Sequence, residues 1–175
     1  MPKPSTGFLK LWVAKTADLA GADSLANIFA NCVIDFYDGT PPADADDAIT
    51  TQTYLGRATL NGGAFTEGVT TYGLVWDSPI VEGTGTGKYV YLPKPTLALW
   101  AFKATGFVGS KTATWARLRG NATDAAGLSA TLPRIQYTVS TNNGTGEIKL
   151  ANTTFIDGQV EQLGTNFKLK VIAAA

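Results

Sequence analysis

Few side chains in this 175-residue chain could perform chemistry, and histidine is absent from the sequence. Histidine is the side chain that most often acts as a general base, because its pKa lies near neutral pH. Without it, a Ser-His-Asp or Cys-His catalytic arrangement is excluded. The acidic residues are scattered, and their spacing does not place two of them together as a glycosidase pair. We therefore expect no catalytic residues and a protein that is not an enzyme.

The densest acidic cluster is Asp44, Asp46 and Asp47, with Asp38 a few residues earlier. Hard cations such as Ca²⁺ require several oxygen ligands, so carboxylates this close together raise the possibility of a metal site. The spacing does not match an EF-hand loop, and no Glu stands at its closing position. A calcium site completed by loop carbonyls stays open as an alternative. We expect a solvated turn, with no metal and no cofactor.

The segment Gly83–Lys88, GTGTGK, has a composition similar to that of a phosphate-binding loop. A P-loop requires four residues between its first glycine and the Gly-Lys pair, then Ser or Thr to hold magnesium. Here three residues separate Gly83 from Gly87, and Tyr89 follows the lysine. We therefore expect a loop between two strands and no bound nucleotide.

The overall composition favours an all-β domain. Charged residues make up 16% of the chain, 19 residues are glycine, and threonine is abundant. Low charge with many Gly and Thr is typical of strands joined by frequent turns. The 14 basic and 14 acidic residues give a net charge of zero. Nucleic-acid binders usually carry a basic excess, so we expect no direct contact with nucleic acid.

The single cysteine, Cys32, cannot form an intramolecular disulfide, and its apolar surroundings predict a buried, inert thiol. Residues 1–15 lack the basic segment and long apolar run of a signal peptide. The longest apolar run, Leu97–Phe102, is too short to cross a bilayer. We expect a soluble protein that is synthesised in a cytoplasm and has no membrane contact.

The chain length predicts one domain. Residues 1–7 contain two prolines and little that could pack, which indicates an N-terminal arm, flexible or docked, before a single β domain at 8–175. The alternation of apolar residues over Leu9–Val13 predicts a short strand. Between Thr16 and Asn31 apolar residues recur at spacings of three and four, which predicts one short helix.

From Cys32 onward the apolar period is two, so Val33, Asp35 and Tyr37 should face one side of a strand and Ile34 and Phe36 the other. The turn Asn142-Asn143-Gly144 should connect two strands tightly. We expect an all-β sandwich or jelly-roll-like barrel of about nine or ten strands with one short N-terminal helix. The strands expected after the helix are residues 33–37, 53–60, 73–77, 88–92, 96–103, 112–119, 134–141, 147–150 and 167–172.

Two of the expected strands are apolar on both faces. Val90-Tyr91-Leu92 and the segment Leu97–Trp100 present apolar side chains to each side. Such strands are covered on both sides, either by a second sheet or by a partner subunit. This pattern favours a sandwich, an oligomer, or both.

Several segments, in the same order along the chain, resemble a pattern found in small virion proteins of tailed bacteriophages. In that pattern an apolar strand ends in an aromatic, a Gly and a Pro, and an Ala/Asp loop follows, as in Val33–Asp46 here. A short apolar strand comes next, matched by Tyr54–Leu60. Thr112–Leu118, Asp157–Val160 and the closing Phe167–Val171 are similar to later elements. Together these segments cover about half of the chain.

The resemblance implies a capsid decoration or cement protein that stabilises the phage head by protein–protein packing. It implies no catalytic residues, a location in the virion after synthesis in the host cytoplasm, and homo-oligomerisation. Its partners would be the major capsid protein or other virion proteins. A component of the head–tail junction, or a tail protein that binds a receptor glycan, is the alternative.

An interface of this kind should use surface loops and the N-terminal arm. The residues we expect at the interface lie in the arm, in the Pro-Pro loop and in the acidic turn: Lys3, Pro4, Phe8, Thr40, Pro41, Pro42, Asp44, Asp46 and Asp47.

Overall fold

A computed structural model describes residues 1–9, 25–82, 89–165 and 167–173 of the protein. Most of the regular structure in these ranges is β, with two short helical segments near the N-terminus. The predicted all-β class with a short N-terminal helix is therefore confirmed. None of the helices in the described ranges has the length and apolar character that crossing a membrane requires.

The described elements are short, apart from two strands of eight residues. Residues 6–9 are helical, and helix α1 spans Leu25–Ile28. The strands are β1 (Lys3–Pro4), β2 (Val33–Asp38), β3 (Thr53–Leu60), β4 (Ile80–Glu82), β5 (Tyr89–Pro93), β6 (Trp100–Ala104), β7 (Ser110–Thr112), β8 (Trp115–Arg119), β9 (Arg134–Thr141), β10 (Ile148–Leu150), β11 (Thr154–Ile156), β12 (Val160–Gln162) and β13 (Lys168–Ala173).

The largest sheet has eight strands, in the order β1-β9-β8-β2-β3-β6-β12, with β10 also paired to β9. Its pairings are antiparallel except that of β10, which runs parallel to β9. On the central strand β2, Asp35 lies opposite Arg57 of β3 and opposite Arg117 of β8. Because paired residues point to the same face of a sheet, this register gathers charged side chains from three strands on one face.

The opposite face of this sheet forms the apolar core. Ile34 and Phe36 of β2 are fully buried there, and the Phe36 ring lies 4.7 Å from that of Phe102. The two smaller sheets, β11-β7 and β13-β5-β4, pack their own apolar side chains into the same core. Phe155 of β11 contacts Phe102 edge-on at 4.7 Å, and Leu169 of β13 is fully buried. The fold is thus sandwich-like, with the smaller sheets packed on the apolar face of the main sheet.

The expected helix and some expected strands differ in extent from the observed ones. Helix α1 occupies only the last part of the expected Thr16–Asn31 segment, and residues 10–24 lie outside the described ranges. Leu9, expected to begin a strand, is helical. Residues 73–77 form only one isolated bridge, between Leu74 and Cys32. The loop at Gly83–Lys88 also lies outside the described residues.

Several observed strands were not expected from the sequence: β1, β4, β7, β11 and β12. Each has two or three residues. An alternation of apolar and polar residues cannot be recognised over so short a stretch, so these strands are defined by their partners rather than by local sequence.

The turn at Asn142-Asn143-Gly144 forms, with the Gly144 amide donating to the Thr141 carbonyl at 2.9 Å, but it does not make a hairpin. Strand β10 returns alongside β9 in the same direction, with Ile148 opposite Val139. After this turn the chain passes back along the end of β9 and then changes direction again. Strand β10 therefore runs parallel to β9.

Strand β3 contains a β-bulge, because Gly56 pairs with Phe36 and Tyr54 pairs with Tyr37, which leaves Leu55 as the extra residue. The φ of Gly56 is +139°. A Cβ atom added at Gly56 would lie 2.0 Å from the Lys103 carbonyl oxygen. We expect Gly56→Ala to lower the free energy of unfolding by at least about 2 kcal/mol, because it combines backbone strain with a clash against a fixed strand. Urea unfolding measures this loss.

Gly68→Ala is the matched control for the Gly56 substitution. Gly68 also has a positive φ, +76°, but a Cβ atom there would meet nothing within 4 Å. Its replacement should therefore cost only the backbone strain of about 1 kcal/mol. An equal decrease in the free energy of unfolding in the two variants would show that the close approach of Gly56 to Lys103 does not add to the cost of the substitution.

Candidate functional site

The charged face of the main sheet is the most distinctive part of the molecule. Asp35 is 2% exposed and accepts hydrogen bonds from two arginines on opposite sides. Arg57 binds it through Nε and Nη2, at 2.5 and 3.0 Å, and Arg119 binds it through Nε at 2.7 Å. Arg119 also donates to Glu67 at 2.7 Å. The four side chains form one connected network across β8, β2 and β3 and the loop after β3.

The geometry of this network keeps its arginines charged. Burial disfavours the charged form of Arg57, but its hydrogen bond to Asp35 and the charge of Asp35 more than offset that effect, so its pKa is raised. Burial acts in the same way on Arg119, whose pKa is raised by Asp35 and by the hydrogen bond to Glu67. Buried charges that are paired and hydrogen-bonded in this way are costly to separate.

A second ion pair joins β9 to the loop that precedes it. Arg134, 1% exposed, binds Asp124 with both ends of its guanidinium fork, at 2.5 and 2.8 Å. Burial would raise the pKa of Asp124, but the hydrogen bond from Arg134 and the backbone amide of Ala126 lower it below its usual range. Arg134 also donates to the Gly127 carbonyl, so the pair fixes the loop over the sheet.

Two loops cover part of the charged face. Residues 40–52 and 120–133 are joined to each other by the Ile49 amide bonding to the Ala126 carbonyl at 2.9 Å, and by the Ser129 amide bonding to the Asp46 carbonyl at 2.9 Å. Backbone carbonyls of the first loop point at the sheet and accept hydrogen bonds from its side chains. The first loop thus contacts the charged face through its backbone carbonyls.

A cleft of about 620 Å³ remains open beside these loops. Its walls include Arg57, Arg117 and three aromatic side chains, Tyr37, Tyr54 and Phe65. The Arg57 guanidinium lies 5.2 Å from the centre of the Phe65 ring. Burial and the nearby charge of Asp35 raise the pKa of Tyr54 to about 12, so its hydroxyl stays protonated and can donate a hydrogen bond.

Arg117 differs from the other arginines of this face. It is 1% exposed, and its two terminal nitrogens both donate to the Asp47 carbonyl at 3.2 Å. Its Nε has no hydrogen-bond partner among the described residues. Burial lowers the pKa of Arg117, and repulsion by Arg134 lowers it further.

A second cleft, of about 590 Å³, lies between β10 and β13 and carries several lysines. Lys168 pairs with Glu82 and lies over the Tyr91 ring. Lys170 lies over the ring of Tyr89. These lysines are already engaged by the chain's own carboxylate and aromatic groups, so the cleft at Arg117 is the stronger candidate for a binding site.

The N-terminal arm is docked rather than free. Lys3 and Pro4 form β1 against β9, and Ser5 Oγ donates to the Leu132 carbonyl and accepts from the Arg134 amide. Phe8 is 0% exposed and stacks on Phe29 at 5.5 Å. The expectation of an interface residue at Phe8 is therefore wrong for the folded chain, because this side chain lies in the core and not on the surface.

The arm and the acidic turn lie next to each other. Lys3 Nζ donates to the Ala43 carbonyl at 3.1 Å, and the Thr6 amide donates to both carboxylate oxygens of Asp46 at 3.0 and 3.1 Å. Lys3, Thr40 and Asp44 are exposed, whereas Pro4, Pro41 and Pro42 are half-buried. The structure thus gathers the expected arm and turn residues, except Phe8, in one surface region; their contact with another subunit stays a prediction.

The carboxylates of the acidic turn are directed at backbone amides. Asp44 accepts from the Asp46 amide, Asp47 accepts from the Asp44 amide, and Asp46 caps the helical segment at Thr6. This is the usual role of Asp in turns and at helix starts. Within the described ranges, no group of three or more acidic, His or Cys side chains is arranged to hold a metal ion.

Cys32 is buried beneath the main sheet, as its apolar surroundings predict. Trp76 Nε1 donates to its sulfur at 3.1 Å. Burial raises the pKa of the thiol to about 12, although the hydrogen bond from Trp76 acts in the opposite direction. A thiol with this pKa is almost entirely uncharged at neutral pH and is a poor nucleophile.

Comparison of the chain with known protein families, with characterised proteins and with solved structures finds no match to any of them. What can be said of the molecule's class therefore comes from its own architecture. It is an all-β, sandwich-like protein with a charged network and a cleft on the outer face of its main sheet.

Proposed function

We propose that this protein is a structural component of a tailed-bacteriophage particle, most simply a decoration or cement subunit of the head. The class follows from the resemblance of Val33–Asp46 and the later segments to small virion proteins. The mode of action rests on one structural observation, an exposed aliphatic patch at one end of β6.

The strand-end patch is the name we give to three exposed aliphatic residues on joined segments near the end of β6: Val108, Ile156 and Val160. Their side chains are 91%, 59% and 55% exposed. Single exposed aliphatic residues are common on soluble proteins, but several together mark a surface that packs against another protein. The patch thus offers an apolar contact at an end of the main sheet.

The segments that carry the patch are joined to each other. The loop with Val108 is bonded through the Gly106 amide to the Asp157 carboxylate at 2.7 Å. Strand β7, which follows that loop, pairs with β11, which ends at Ile156. These bonds fix the backbone segments that carry the aliphatic side chains before any partner binds, which lowers the entropic cost of association.

The mechanism we propose is geometric. Covering the patch with a neighbouring subunit would remove apolar area from water, which contributes roughly 25 cal/mol per Å² before the costs of association. The docked arm and acidic turn provide a second, polar contact region around Lys3, Thr40 and Asp44. Many copies bound in this way would brace a shell without any covalent chemistry.

Removing the patch should weaken binding to phage shells. We expect the double variant Val108→Ser, Ile156→Ser to bind shells that lack this protein at least tenfold more weakly than wild type does, because two aliphatic contacts are lost. Co-sedimentation with such shells measures the change. Both residues are exposed, so the melting temperature should stay the same.

Leu128→Ser is the control for the patch experiment. Leu128 is 78% exposed but lies in the loop over the charged face, away from the patch. Unchanged shell binding by the double variant, or an equal loss with the control, would contradict the proposal.

The number of copies per particle separates the two virion roles. A number near that of the capsid subunit fits a decoration protein, and a small ring fits the head–tail junction or tail.

A further inference from the structure

Arg117 is a buried cation whose hydrogen bonds are only partly satisfied. Its two terminal nitrogens share a single carbonyl oxygen, that of Asp47, and its Nε has no acceptor among the described residues. Buried polar atoms nearly always have partners, and a buried donor without one costs free energy. An acceptor from a water, a ligand or a partner satisfies such a donor.

The charge of Arg117 is also unmatched. Arg57 and Arg119 contact Asp35, and Arg134 contacts Asp124. In the described part of the chain, no carboxylate lies within salt-bridge distance of Arg117. The carboxylates that line this cleft are those of Asp35, Glu67 and Asp124. The arginines that line it or adjoin it are Arg57, Arg117, Arg119 and Arg134, so one positive charge is left over.

The surroundings of Arg117 are suited to hold an anion. The residue lines the cleft of about 620 Å³ together with Arg57, Tyr54 and Phe65. The side chain of Arg57 is 25% exposed, so the cleft combines a partly exposed arginine with the buried Arg117. The rings of Tyr37, Tyr54 and Phe65 form part of the lining and place apolar surface beside these charged groups.

We propose that this cleft binds a carboxylate group, which accepts a hydrogen bond from Arg117 Nε and is attracted by the exposed part of Arg57. The carboxylate comes either from a small organic acid or from an Asp or Glu side chain of another protein. The site does not depend on the virion role proposed above.

The charge count favours a carboxylate over a phosphate. One positive charge is left over around the cleft, and a monoanion neutralises it, whereas a phosphate dianion would leave an excess of negative charge beside Asp35 and Glu67. The aromatic walls of Tyr54 and Phe65 suit the apolar part of a carboxylic acid. The protonated Tyr54 hydroxyl supplies a further donor in the cleft lining.

Solution NMR of the full chain tests the site. Sodium benzoate is the first probe, with benzamide as its uncharged counterpart, and N-acetylglutamate N-methylamide represents an acidic side chain. We expect the Arg117 Nε–H resonance to shift saturably with benzoate and not with benzamide. A lower dissociation constant for the glutamate probe than for benzoate assigns the carboxylate to a protein partner, and the reverse assigns it to a small acid.

Arg117→Met should bind benzoate at least tenfold more weakly than wild type does, because a charge-assisted hydrogen bond is lost. Lys103→Met is the control, since Lys103 is an exposed cation on β6 outside the cleft. If Arg117→Met does not fold, the titrations of the wild-type protein with benzoate and benzamide still test whether the cleft binds a carboxylate. The proposal is overturned by the absence of a saturable shift, by equal shifts with benzamide, or by tighter binding of inorganic phosphate than of either carboxylate.

Discussion

Asp35→Asn should lower the free energy of unfolding by about 3–5 kcal/mol, the usual cost of removing one partner from a buried ion pair. Asp35 is 2% exposed and is the carboxylate that Arg57 and Arg119 share. An asparagine of the same size keeps the shape but leaves the two guanidinium groups facing each other without the intervening negative charge. Urea unfolding followed by tryptophan fluorescence measures the loss.

Asp38→Asn serves as the control for the Asp35 experiment. Asp38 ends the same strand and is half-buried, but it forms no ion pair among the described residues. Its replacement should change stability by less than about 0.5 kcal/mol. If the two variants unfold at the same urea concentration, the charged face contributes little to the fold, and its residues would have to be explained by binding alone.

Phe8→Ala should lower the free energy of unfolding by about 3–5 kcal/mol, which is the range for removing a fully buried phenylalanine. Phe8 is 0% exposed and stacks on Phe29, so truncation leaves a cavity between the N-terminal segment and the core. Thermal or urea unfolding measures the change. Because Phe8 is part of the core, we also expect deletion of residues 1–9 to destabilise the whole domain.

Leu9→Ala separates a core effect from a general effect of the N-terminal segment. Leu9 is the next residue but is 44% exposed. It should lose less than about 1 kcal/mol, since only part of its side chain leaves water on folding. A Phe8→Ala variant as stable as wild type would mean that the N-terminal segment is not held in the core in solution, and the arm would then be free to reach another subunit.

The fold class was predictable because its signals are local. In β2 the alternation of Val33–Asp38 shows directly that Ile34 and Phe36 point one way and Asp35 the other. Glycines and prolines marked most ends of the longer strands. Strands of two or three residues carry no such pattern, and β1 and β12 exist only because β9 and β6 offer them an edge.

The candidate site was not predictable from local pattern. A buried Asp35 in an apolar strand signals that a cation must lie nearby, but the sequence does not say which strands flank β2. Arg57 and Arg119 are brought to Asp35 by the register of β3 and β8. The alternating run Trp115–Arg119 did hold a usable signal, since its two arginines share one face of a strand whose other face is apolar.

Phe8 was misplaced for a related reason. The first residues contain two prolines and too few apolar side chains to suggest a packed element, so the arm was expected to contribute contacts at the surface. Its docking depends on Ser5, which bonds to Leu132 and Arg134, residues distant in sequence. No local pattern at the N-terminus reports a partner so far along the chain.

The docking of the N-terminal segment also sets an order of events during translation. Ser5 and its partner Arg134 are 129 positions apart, so residues 1–9 cannot dock until β9 has been synthesised and has left the ribosome. Until β9 arrives, Phe8 lacks part of its native pocket and is accessible to chaperones or to neighbouring nascent chains. Docking of the N-terminal segment is therefore a late step in the folding of this domain, because it requires a long-range contact.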